Sequence, residues 1–281
     1  GREGILMKIL HIWSCAGVSC LIAKYMDSRH DTQSDVIITE KWDKIGLNDY
    51  RTTKIKSKPI FGLKGLTMAR GYDLIHVHYH SIFIPFLKTL YDKPVIMHFH
   101  GSDVRENWEA RLKRIKKADK ILVSTPDLLT GAPLETSWIP NPVDTVKFEP
   151  MKCATYVDRA LTTSYGADEE AQAIADNYGL RLDFIRDRIQ HKRVPLLMSK
   201  YKFYIDVKRD FRDRLLYEGS TLSKTGLEAL AMGLKVVSKD LSIREGLPEI
   251  HQPENVADSL FTIYEKLMEN TNEIDSRFNA N

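Results

Sequence analysis

Along the chain, short apolar runs rich in β-branched residues alternate with segments whose apolar positions recur every three or four residues. The strand-like runs of the first half are "KILHIW" (8–13), "DVIITE" (35–40), "KIKSKPI" (54–60), "DLIHVH" (73–78), "PVIMHF" (94–99) and "KILVST" (120–125). Between them lie helix-length stretches at 18–29, 62–70, 81–91 and 105–118. Runs that are apolar on both faces and separated by helices predict a parallel sheet covered on both sides, a doubly wound α/β domain.

The proline-rich "WIPNPVDTVKFEP" (138–150) interrupts this rhythm and marks a boundary. A second alternation follows: strand "CATYVD" (153–158), helix 167–178, strand "RLDFIR" (181–186), a short helix near 194–199, strand "KFYIDV" (202–207), helix 223–232, strand "LKVVSK" (234–239) and a closing helix 254–269. The pattern divides the chain into a domain over 7–145, a second, shorter domain over 146–270 and a tail, 271–281, that crosses back. Residues 1–6, "GREGIL", read as an appendage to the start-like "MKILHIW".

A length of 281 residues agrees with this division, since domains run to roughly 100–150 residues each. With 43% hydrophobic and 28% charged residues the chain can bury a core. A formal charge of +3 gives no ground for a nucleic-acid partner. No apolar run reaches the roughly 20 residues a membrane span needs, and no secretory pattern is present. Cys15, Cys20 and Cys153 are odd in number and lack zinc-ribbon spacing, which predicts reduced thiols and a cytoplasmic protein.

Candidate chemistry begins with histidine. Five of the nine histidines fall in "DLIHVHYHS" (73–81) and "PVIMHFHGSD" (94–103). Strand alternation puts His76, His78 and His80 on one face while the strand continues, and His98 with His100 on another such face. Imidazoles so gathered can ligate zinc or iron. Carboxylate and cysteine partners at ligand spacing are missing, so the expectation is no metal and a packed, hydrogen-bonded role for His76, His78 and His98. His100 differs: it stands at a strand end before Gly101, which permits a tight turn, and Asp103, which can cap the next helix.

The phrases "YDLIHVHYH", "PVIMHFHGSD", "ADKILVSTPDLL", "WIPNPVDTVKFEP" and "GLEALAMGLKVV", in this order, resemble the retaining nucleotide-sugar glycosyltransferases of the GT-B fold, a large family that includes polysaccharide, glycolipid and archaeal sugar transferases. The resemblance covers most of residues 7 to 240. It implies an α/β, GT-B-like protein, with two Rossmann-like doubly wound domains facing a cleft and the second shortened. The implied reaction moves a sugar from a nucleoside diphosphate sugar to a glycan or lipid-linked acceptor hydroxyl with retention, without a metal or other cofactor. Its transition state is positive at the sugar and negative on the departing phosphates. Cation-free members of the fold answer that charge with helix N-termini, backbone amides and basic side chains, and the leaving phosphate takes the acceptor proton.

Carried over residue by residue, the resemblance makes His100 the imidazole that approaches the donor sugar and Asp103 a helix cap or acceptor-side contact. The loop "SCAGVSC" (14–20) brings Gly17 and Ser19 toward the donor, with one glycine where the family has two. In "TLSKTGLEALAMG" (221–233), Ser223 or Thr221 caps a helix, Lys224 sits in its first turn and Glu228 is the family glutamate that binds the ribose hydroxyls. Arg159 fits the arginine that follows the first strand of the second domain, but no lysine follows it. Arg186, Arg188, Lys192 and Arg193 in "IRDRIQHKR" are the compensating cations, with Arg188 taken as a donor contact.

The chain departs from the family's Glu-x7-Glu pattern. Ser220 stands eight residues before Glu228, and Glu218 takes the donor-sugar role only after a register change. Lys235 replaces the proline of the family's "PVV". These departures support a second reading, a degenerate nucleotide-sugar-binding relative that acts as a scaffold or partner. A histidine-rich metalloprotein is the third. Finally, "WEARLKRIKKADK" (108–120) sets Trp108, Leu112 and Ile115 on one helical face among basic residues, which predicts peripheral contact with an anionic membrane at its cytoplasmic side.

Overall fold

The computed structural model describes residues 6–105, 107–151, 155–163, 166–186, 188–209 and 221–279, the stretch from 272 onward as backbone only. The chain forms two compact units: one runs up to Pro142 and resumes at Pro253, the other is Val143–Gln252.

In the first unit, β1 (Met7–Ile12), β2 (Thr32–Thr39), β3 (Thr52–Ile55), β4 (Leu74–His78), β5 (Val95–Phe99), β6 (Lys120–Val123) and β7 (Ser137–Trp138) form one sheet in the order β3-β2-β1-β4-β5-β6-β7. Every neighbouring pair is parallel. Strand alternation gives the sheet two apolar faces. Leu10, Ile12, Ile75, Val77, Met97 and Phe99 pack on one side under α2 (Lys58–Met68), α3 (Phe83–Leu90) and α4 (Glu109–Ile115). Ile9, Leu74, Ile96 and Leu122 pack on the other under α1 (Val18–Arg29) and α8 (Pro253–Asn279). Val256, Leu260 and Tyr264 of α8 are fully buried there, each contributing roughly 1.5–3 kcal/mol. The element that returns to the first unit is therefore the whole of α8, not a tail after 270.

In the second unit, β8 (Tyr156–Thr162), α5 (Asp168–Asn177), β9 (Arg181–Phe184), α6 (Val194–Met198), β10 (Tyr201–Asp206), α7 (Lys224–Ala231), β11 (Lys235–Ser238) and β12 (Ile243–Arg244) follow in turn. The sheet order is β12-β11-β10-β8-β9, parallel except for the short antiparallel β12. Tyr204, Val236, Leu227 and Met198 centre its core.

Several boundaries move from their expected places. The run at 54–60 is strand only to Ile55; Pro59 sits in the first turn of α2, where its missing N–H has no helical partner to lose. The strand expected at 153–158 runs over Tyr156–Thr162. Among the described residues, no helix is long and apolar enough to cross a membrane.

Candidate functional site

The strand order of each unit reverses at one point, where the carboxyl ends of open parallel sheets take ligands. In the first unit that point lies between β1 and β4, and it is filled by imidazoles. His11 on β1 stands in register with His76 on β4, and His78 with His98 on β5. All four are buried on the face that α8 covers. His11 was invisible as a site residue in the sequence, because its neighbours arrive only through the β1–β4 register.

His11 Nδ1 lies 3.1 Å from His78 Nε2, and His78 Nδ1 lies 3.0 Å from His100 Nε2. The corresponding ring centroids are 5.4 and 5.2 Å apart, close to the nitrogen separation plus two ring radii, so the nitrogens point at each other nearly head-on. Such geometry suits N–H···N hydrogen bonds. The candidate ligand groups His11–His76–His78 and His78–His98–His100 share these engaged nitrogens. His76, His78 and His98 are all buried, and His76 and His78 carry the hydrogen bonds expected of them. His98 is nevertheless left with both ring nitrogens buried and without a hydrogen-bond partner.

Two tautomer patterns satisfy both bonds of the chain. In one, protons sit on Nδ1 of His11, His78 and His100, and the buried His11 Nε2 is a bare acceptor. In the other every proton moves to Nε2, and His11 buries an N–H donor without a partner. Orphaned buried donors are the rarer and costlier fault. The first pattern wins, and His100 carries its proton on Nδ1.

Asp103 ties the loop that presents His100. Its carboxylate accepts from the backbone N–H of His100 at 3.0 Å and of Gly101 at 2.8 Å, and Gly101 has φ 130°. Burial raises the Asp103 carboxyl to about 6, against the pull of those hydrogen bonds. Asp103 is 3% exposed, so it fastens the loop and does not offer itself to an acceptor. Gly17, with φ 74°, precedes α1 as expected, but a Cβ there would stand 2.8 Å from the Leu47 carbonyl oxygen. What approaches Gly17 is the protein's own 46–49 loop. Ser19 is fully buried with an unpartnered Oγ. Cys15 and Cys20 are free thiols, both pushed up by burial, and Cys153 lies outside the described residues.

In the second unit the reversal point lies between β8 and β10, and Asp206 ends β10. Asp206 accepts from Ser223 N at 2.7 Å and Ser223 Oγ at 2.6 Å, and Ser223 Oγ in turn accepts from Gly226 N at 3.1 Å. The cap expected of Ser223 is present, and behind it stands a buried carboxylate. Gly226 is required: a Cβ there would lie 2.4 Å from Asp206 Oδ2. Lys208, two residues past β10, is half-buried, its ammonium lowered by desolvation despite Asp206 and Glu228 nearby.

Glu228 follows Gly226 on α7 and is 5% exposed. Its Oε1 lies 3.1 Å from His191 Nε2, and Lys147 Nζ lies 2.8 Å from His191 Nδ1. Lysine can only donate, so His191 accepts at Nδ1 and donates from Nε2 to Glu228. His191 was hidden inside a run read only for its charge.

Other expected contacts do not join this group. Arg159 lies within β8, not after it, with its guanidinium paired to Asp183 at 3.2 Å and set over the Tyr156 ring. Thr162 and Thr163 occupy the strand end where the arginine was expected. Arg186 pairs with Asp168, while Arg188, Lys192 and Arg193 are exposed. Lys224 opens α7, and Lys235 pairs with Glu245. Ser220 and Glu218 lie outside the described residues. In the basic stretch 108–120, α4 spans Glu109–Ile115; Trp108 and Ile115 are buried in the core, while Leu112 is 40% exposed.

No protein-family model matches the chain, and no curated protein matches it. Solved structures match by shape. The UDP-N-acetylglucosamine 2-epimerase from Rickettsia bellii aligns at TM-score 0.51 with 8% identity, over 95% of this chain and 98% of that one. The UDP-GlcNAc 2-epimerase from Neisseria meningitidis, bound to UDP-GlcNAc, aligns at TM-score 0.50 with 13% identity over 94% of both chains. A Streptomyces glycosyltransferase aligns at TM-score 0.41 with 12% identity, over 98% of this chain and 96% of that one. The fold is α/β and GT-B-like, with two parallel-sheet Rossmann-like domains.

Proposed function

We propose that this chain binds a nucleoside diphosphate sugar and transfers the sugar to an acceptor hydroxyl with retention of configuration. The observation that carries the reading is the start of α7. Asp206 and Ser223 hold it rigid, Gly226 keeps it narrow, and Lys208, Lys224 and Glu228 surround it. A helix start presents N–H groups and the positive end of its dipole, which suit a diphosphate. Glu228, with Oε1 held by His191, offers Oε2 to the ribose hydroxyls.

In the reaction the bond from the anomeric carbon to the diphosphate oxygen breaks, and its electron pair leaves with the phosphate. The acceptor oxygen bonds to the same face of that carbon, and its proton passes to the departing phosphate. His100 is the residue that the resemblance assigns to the donor sugar. The acceptor is a glycan or a lipid-linked sugar.

The test is calorimetric titration of UDP, GDP, ADP and their sugar conjugates into wild type and Glu228→Ala. One nucleotide series is expected to bind, with affinity lowered in the variant by about 1–3 kcal/mol. Absence of binding by any series overturns the reading. The fold is equally that of the 2-epimerases named above, so product analysis with the bound sugar nucleotide follows. Inversion at C2 without an acceptor assigns epimerisation, a glycosylated acceptor assigns transfer, and binding without turnover in either assay assigns the degenerate reading.

A further inference from the structure

Two adjacent helices of the first unit turn apolar residues outward. Ile60 and Leu63 on α2, and Ile82, Phe86 and Leu90 along α3, are each more than half exposed. The spacing of four places Ile82, Phe86 and Leu90 in one stripe, while Phe83, Ile84 and Leu87 are buried on the opposite side. A helix apolar all round is normally covered all round. The two helices are in contact: Phe61 and Phe83 meet edge-on at 5.7 Å, and a Cβ on Gly65 would lie 3.0 Å from the Phe83 ring. The exposed side chains therefore stand on two neighbouring helices.

Charge says what covers it. From Tyr50 to Tyr72 the sequence holds Arg51, Lys54, Lys56, Lys58, Lys64 and Arg70 and no carboxylate, and the only charge within α3 is Lys88. Arg51 and Lys54 pair with Asp35 and Asp43, while Lys56, Lys58, Lys64 and Arg70 are exposed beside Ile60 and Leu63. A second copy docked on the same face by twofold symmetry would set these cations against one another. A surface of lipid acyl chains beneath anionic headgroups matches both features at once. Trp42, 60% exposed, extends the face; it stands edge-on to Trp13, which meets His80 at 4.5 Å. Indoles favour such interfaces. His80, just past β4, meets both Trp13 and Phe61 of α2, so the helices border the carboxyl end of the sheet.

We propose that the α2–α3 face docks the protein on an anionic membrane, with Ile60, Leu63, Phe86 and Leu90 entering the acyl boundary and Lys56, Lys58 and Lys64 meeting the headgroups. This goes beyond the donor-site reading and does not depend on it.

The experiment is co-sedimentation with phosphatidylcholine vesicles, with and without phosphatidylglycerol. Wild type is expected to pellet with the mixed vesicles and to be released by salt. The double variants Phe86→Ser with Leu90→Ser, and Lys58→Glu with Lys64→Glu, are expected to bind at least about tenfold more weakly. All four side chains are solvent-facing or rim positions, so circular dichroism and nucleotide titration should match wild type. Wild type remaining in the supernatant, or pelleting unaffected by either variant, overturns the proposal. So does a wild-type dimer in light scattering that Phe86→Ser with Leu90→Ser dissociates without any lipid binding, which assigns the face to a protein. Failure of every nucleotide to bind would leave the vesicle result standing, so the two readings fail separately.

Discussion

Tyr264 Oη on α8 lies 2.6 Å from His76 Nδ1 on β4, a fully buried hydrogen bond between residues far apart in sequence. His76 Nε2 is already without a partner, so Tyr264→Phe leaves the whole imidazole unsatisfied. The expected cost is about 1–3 kcal/mol, read as a lower urea midpoint with an unchanged slope. An unchanged midpoint would show that the bond adds nothing beyond ring packing.

Acid should unfold the protein early. Burial pushes His11 down to about 3 and, helped by neighbouring imidazoles, holds His76, His78 and His98 well below the usual range. All four stay neutral in the fold, while the unfolded chain protonates each near pH ~6.5. The unfolded state then holds more protons, so stability present above pH ~6.5 is lost as pH falls, by up to ~1.4 kcal/mol per pH unit per histidine. Asp103 acts oppositely: with its carboxyl raised to about 6, the fold holds a proton that the unfolded chain releases. Near pH ~5 the balance is about three protons, and urea midpoints measured from pH ~7 to ~5 should fall accordingly. A flat profile would contradict neutral burial of the histidines.

Gly226→Ala should damage the second unit selectively. The new methyl would displace the Asp206 carboxylate and with it the Ser223 cap, a loss of at least about 1–2 kcal/mol. Faster amide exchange along α7 and weaker nucleotide binding are expected together, with exchange in β1 and β4 unchanged.

The tautomer of His100 is directly observable. Nitrogen NMR of histidine-labelled protein should show His100 protonated at Nδ1 in wild type. His78→Phe removes the donor that enforces this state, and a mixture of tautomers is expected in the variant. Nε2 protonation in wild type would reverse the direction of the whole chain.

How much of this could be read in advance depended on whether the cause was local. The parallel sheets were legible because strands buried on both faces must be apolar throughout, as in "KILHIW" and "PVIMHF". The start of α2 was missed because a proline that breaks most helices is tolerated in the first turn. The Ser223 cap was legible from its motif, whereas Asp206 behind it and His191 beside Glu228 come from other elements and leave no mark of their own at short range. His11 became part of the histidine chain only through register with β4. Periodicity showed that α8 buries a face, but no local pattern says which core receives it. The stretch 81–91 was legible only as a helix, since sequence does not reveal that one side of α3 lacks a neighbour.

The return of α8 sets an order of events during synthesis. The first unit closes over Ile9, Leu74 and Ile96 with residues that leave the ribosome after the entire second unit. Until Tyr264 emerges, a nascent chain carries an open apolar sheet face and a His76 without its hydroxyl partner. A chaperone that waits on this protein therefore has the older half to guard until the last helix is made.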